Sequence, residues 1–88
     1  ANAMIHYHLA NIHCADGNLD EAEAEFRQAL SRDGNLAAAH FELARLRYLR
    51  GDPNRALHEV KLAQKASPMY NESKNYPVLD RIKVKQLQ

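Results

Sequence analysis

Residues 40–51 read HFELARLRYLRG, and residues 6–17 read HYHLANIHCADG. A histidine opens each stretch, Leu-Ala follows at its fourth and fifth places, and a glycine closes it. Sliding the whole chain by 34 residues extends the match. Identical pairs are Ala3/Ala37, His6/His40, Leu9/Leu43, Ala10/Ala44, Gly17/Gly51, Ala22/Ala56, Glu25/Glu59 and Ala29/Ala63. Tyr7/Phe41, Ile12/Leu46, Asn18/Asp52 and Arg27/Lys61 are similar pairs. Ordinary composition gives about one identity in sixteen positions, so a fixed period of this strength marks a repeat architecture.

Each unit reads as two helices. In the first, Ile5, Leu9, Ile12 and His13 recur at helical spacing. Gly17-Asn18 stops that helix, because glycine accepts the positive φ of a C-cap. Asp20 and Glu21 open the next helix, where the macrodipole favours negative charge. Its inward face carries Ala22, Phe26, Ala29 and Leu30, and Asp33-Gly34-Asn35 forms a turn. The second unit runs from Leu36 to Leu49, through the turn Gly51-Asp52-Pro53, to a helix bearing Ala56, Leu57, Val60 and Ala63. Pro53 suits a first helical turn, where its missing N–H is not needed. Antiparallel helices approach closely only past short side chains. Ala10 and Ala44, facing Ala22, Ala29, Ala56 and Ala63, are the expected close points, with Phe26 and Val60 filling the space between neighbouring pairs.

In this arrangement the chain resembles the tetratricopeptide repeat. The residues that carry the likeness are Leu9-Ala10, Gly17, Ala22, Phe26 and Ala29 in the first unit. In the second they are Leu43-Ala44, Gly51, Ala56, Val60, Ala63 and Pro68. Gly34 departs from the pattern, standing where proline is usual. The resemblance implies an all-α fold, a right-handed α-α superhelix of two helix-turn-helix repeats over residues 3–36 and 37–70. The tail does not continue the pattern, since Pro77 falls inside what would be a helix. Residues 71–88 are expected to be a linker and a C-terminal capping helix, with Val78, Leu79, Ile82 and Leu87 inward. Ala1-Asn2-Ala3 reads as a vector remnant ahead of Met4, and the chain as a piece of a longer protein.

Composition narrows the function. Hydrophobic residues make up 45% of the chain, enough for a core. No run of about 18 apolar residues suggests a membrane span. A soluble protein is expected, with the cytoplasm favoured over the periplasm. A net charge of +1 conceals polarity. Residues 1–44 hold two basic and seven acidic residues, net −5, and residues 45–88 hold ten basic and four acidic, net +6. Such polarity lets copies attract one another head to tail. Nucleic-acid binding through Arg45, Arg47, Arg50 and Arg55 is not expected while the other half is acidic.

Three histidines and the single cysteine fall within residues 5–14. On one helix His6 and His8 point to nearly opposite sides, and His13 lies two turns from His6. A tetrahedral metal needs three or four converging ligands, and these do not converge. Metal binding is therefore not expected; His6, His13 and His40 read as partly buried rings between helices. Nothing has the spacing of a catalytic motif, so no catalytic residue, cofactor or small-molecule substrate is expected.

The resemblance implies instead a groove, lined by the first helix of each pair, that holds a peptide or helix of another protein. It places Tyr7, Asn11, Phe41, Arg45 and Tyr48 on that side. Tyrosine, phenylalanine and arginine are suited to anchoring a partner. The alternative is a self-assembly module, a homo-oligomer that dimerises or stacks through open repeat ends. A receptor for chaperone C-terminal carboxylates is disfavoured. Asn11 matches one clamp residue, but Tyr7, Glu42 and Glu72 stand where lysine, asparagine and lysine are needed.

Overall fold

The computed structural model describes residues 2–71. Helices α1 (Ala3–Ala15), α2 (Leu19–Arg32), α3 (Ala37–Leu49) and α4 (Pro53–Ala66) follow in order, then a 3₁₀ turn over Pro68–Asn71. Among the described residues the fold is all-helical with no strand. α1 packs on α2, α3 packs on α4, and α2 meets α3. Helices α3 and α4 begin 34 residues after α1 and α2. The capping helix expected from Pro77 onward lies outside the described residues.

Local chemistry sets these limits. The Asn2 side chain accepts a hydrogen bond from Met4 N at 2.8 Å, capping α1, so Asn2 and Ala3 take part in the first helix. Asp52 caps α4 by accepting from Arg55 N at 3.1 Å, with Pro53 as the first helical residue. Gly17 and Gly51 close α1 and α3 in the same way, with φ of +79° and +86°. Their successors reach back: Asn18 N donates to His13 O at 2.8 Å, and Asp52 N to Arg47 O at 2.9 Å. This six-to-one closure satisfies carbonyls that a helix end leaves open. A Cβ at either glycine would meet nothing within 4 Å. Gly17→Ala and Gly51→Ala should therefore each cost about 1 kcal/mol, through backbone strain alone. Urea denaturation checks this; a loss-free Gly51→Ala would show that the turn does not need the left-handed conformation.

The core is a ladder of small residues with a few large ones between them. Ala10, Ala22, Ala29, Ala39, Ala44, Ala56 and Ala63 are all fully buried. One cluster joins α1, α2 and α3 through Ala10, Ala22, Phe26, Ala39, Leu43 and Leu46. A second joins α3 and α4 through Phe41, Ala44, Ala56, Val60 and Ala63, with Tyr70 packed against it. Phe26 thus fills the space between the two pairs, as expected, while Val60 lies within the second.

The stripe read on α1 is not a core stripe. Ile5, Leu9 and Ile12 are 54%, 40% and 58% exposed. Their counterparts one period on, Ala39, Leu43 and Leu46, are 0%, 1% and 2% exposed. The residue types agree and the neighbours differ: α2 lies against α3, and no described element lies against this side of α1.

Candidate functional site

An open groove of about 360 Å³ runs between α1 and α3. Asn11, Cys14 and Ala15 line it from α1, Leu19 from the start of α2, and Glu42, Arg45, Leu46 and Leu49 from α3. Leu46 is buried and forms part of the floor, whereas Leu49 stands 72% exposed at the rim. Arg45 Nη1 donates to both Glu42 oxygens, at 2.9 and 3.3 Å. Half of the Arg45 side chain and a quarter of Glu42 remain in solvent. Exposed pairs of this kind contribute about 0–1 kcal/mol, so a ligand acid can exchange with Glu42 at little cost.

Burial pushes the Cys14 thiol up from its ordinary value; the Glu42 charge adds to this and Arg45 partly offsets it. Cys14 is consequently held as the thiol, a weak nucleophile. The groove offers an apolar floor, one amide, one cation and one anion. That set suits recognition of a polypeptide segment.

The five residues expected to meet a partner divide. Asn11 and Arg45 lie together on the groove. Phe41 is only 6% exposed and its ring lies 4.9 Å from that of Tyr70. It belongs to the core of the second pair, because its helical position faces the α4 side. Tyr48 is packed against the same cluster. Tyr7 is half-buried, its ring 6.1 Å from Phe26 and 5.5 Å from His8. Leu19, Glu42, Leu46 and Leu49 complete the lining; of these, Glu42 was legible as a partner three residues before Arg45.

The histidines are held by carboxylates. His6 Nδ1 donates to Glu25 Oε2 at 2.6 Å, and His40 Nδ1 to Glu59 Oε2 at 2.7 Å. Both pairs span 19 residues and link the two helices of a pair. His40 Nε2 also lies 2.8 Å from the Gly34 carbonyl. Both its neighbours accept, so each ring nitrogen needs its hydrogen to make both bonds. Glu59 Oε1 accepts in turn from Arg47 Nη1 at 2.9 Å. Arg47 Nε reaches Glu23 at 3.4 Å and Arg50 reaches Asp20 at 2.6 Å, and these two bonds fasten α3 to α2. Among the described residues no three His, Cys, Asp or Glu side chains gather as a metal site requires, and none of the four helices is long and apolar enough to cross a membrane.

Helical pairs recurring at a fixed period, with small residues at the crossings, define a helical-repeat protein. Residues 3–36 match the family model of the tetratricopeptide repeat. No curated protein matches it. Tetratricopeptide repeats are protein–protein interaction modules, a scaffold type that is not itself catalytic.

Proposed function

We propose that the groove between α1 and α3 holds an apolar segment of a partner protein, with Arg45 meeting an acid and Asn11 a backbone amide. The observation that carries this reading is the joining of Asn11 and Arg45 over an apolar lining of Leu19 and Leu46, with Leu49 at the rim. A peptide binds by laying side chains on such a floor while its own amides find fixed partners, and a cation beside it selects the sign of the peptide's charge. Tyr7 supports the α1 wall from within. In this reading the protein is a binding scaffold with no reaction of its own.

The test is a comparative pull-down from lysate of the source cells. The baits are the wild-type chain and an Asn11→Ala, Arg45→Ala, Leu49→Ala triple variant, matched for helicity by circular dichroism. All three side chains are partly or largely exposed, so the variant should fold. A protein retained by the wild type should fall at least tenfold on the variant. Identical catches would show that the groove is idle.

A further inference from the structure

We propose that the outer side of α4 carries a second docking surface, a strip of Arg55, His58, Lys61 and Lys65 that binds a carboxylate-rich segment of another protein. Spacings of three, three and four residues put these side chains on one side of the helix. All four are exposed. The strip is one helix wide and about 15 Å long, the rise of the helix from its first member to its last. The single carboxylate of α4, Glu59, does not neutralise it. Glu59 is buried and turned toward α3, where it binds His40 and Arg47.

The charge on this strip is unspent. Arg45, Arg47 and Arg50 each meet a carboxylate within the fold. Among the described residues His58, Lys61 and Lys65 meet none, and Arg55 makes only a solvated 3.3 Å contact with Asp52. The sequence beyond residue 71 adds four bases against Glu72 and Asp80. The fold does not call for these cations. One period earlier the same places on α2 hold Glu21, Ala24, Arg27 and Ser31, with no net charge, and the helix pair is built in the same way. Those four are exposed although α3 packs on α2. This side of a second helix is therefore not the side on which a following pair lies, and the strip stays open whatever sequence adjoins the chain.

Shape selects among anions. A lipid surface is held by charge together with inserted apolar side chains, and α4 exposes no large apolar residue. Single-stranded nucleic acid stacks its bases on aromatic rings, and α4 has no Phe, Tyr or Trp. Carboxylates spaced along a peptide need only the row of cations. A second copy of this chain answers poorly: Asp20 and Glu21 stand at one end of its α2, and Arg27 and Arg32 at the other.

The experiment titrates the full chain, isotopically labelled for NMR, with a capped peptide of alternating glutamate and serine. Saturable shifts are expected at the amides of His58, Lys61 and Lys65, and should persist in Arg45→Ala, which separates the strip from the groove. Added salt should weaken the complex. Lys61→Gln with Lys65→Gln should weaken binding about tenfold, whereas Arg27→Gln with Arg32→Gln, which removes the same charge from α2, should change it by about twofold or less. These four side chains are exposed, and circular dichroism checks that helicity is kept. Absence of saturable shifts at millimolar peptide would overturn the proposal. Equal weakening by the two double variants would overturn it too, because net charge alone would then explain the binding. So would tighter binding to a single-stranded oligonucleotide of the same charge or to phosphatidylserine vesicles, or a self-association that the α4 double variant abolishes.

Discussion

Phe26→Ala should lower the free energy of unfolding by about 3–5 kcal/mol, the range for a large aromatic deleted from a packed core. Phe26 heads the fully buried side chains among the described residues, with no exposed surface. It also sits where α1, α2 and α3 meet, touching a cluster that draws on all three. Alanines surround it at Ala10, Ala22 and Ala39, and their short side chains cannot close over the space it leaves. A domain of this length has about 0.05–0.15 kcal/mol of stability per residue, so the loss is a large part of the whole. Urea denaturation followed by circular dichroism measures it. A loss below 1 kcal/mol would mean that the two helical pairs are held together by something other than this ring. A lowered denaturant slope as well would show the first pair opening while the second stays folded.

The second large effect is expected at Glu59. Glu59→Ala leaves His40 and Arg47 facing each other in the interior without the carboxylate that binds both. Breaking one member of a buried ionic cluster costs about 3–5 kcal/mol, and Arg47 keeps only its longer, 3.4 Å contact with Glu23. The molecule supplies its own control. Glu25 occupies the same place in the first pair, holds only His6, and its side chain is 26% exposed. Glu25→Ala should cost about 1 kcal/mol, an ordinary partly exposed hydrogen bond. Thermal or urea melts of the two variants decide the matter. Equal losses would remove the argument that Arg47 and burial make the second pair's cluster different.

The repeat was legible because both units solve the same packing problem. Leu9 and Leu43, Ala10 and Ala44, Gly17 and Gly51 must each satisfy a close approach or a left-handed turn, and few residue types do. Helix limits followed from the same glycines and from Pro53. The His–Glu pairs were present among the identities but not connected. Joining His6 to Glu25 requires knowing which faces of two antiparallel helices meet, and a period along the chain does not contain that. The half-exposed stripe on α1 was hidden for a related reason. A sequence repeat reports what a helix is built to touch, and Ile5, Leu9 and Ile12 look like their buried counterparts. In the groove, Asn11 and Arg45 were placed by helical position. Phe41 and Tyr48 were placed by the same helical positions, and their rings pack on the seam between α3 and α4.

Cys14 is the single cysteine of the chain, and it stands in the wall of the groove. An environment-sensitive fluorophore attached there would sit beside Asn11, Glu42 and Arg45 without any residue being engineered. Its raised thiol pKa sets the labelling conditions, mildly alkaline rather than neutral. The dye's emission would then report water leaving the groove as a ligand enters, giving an optical titration for any candidate segment.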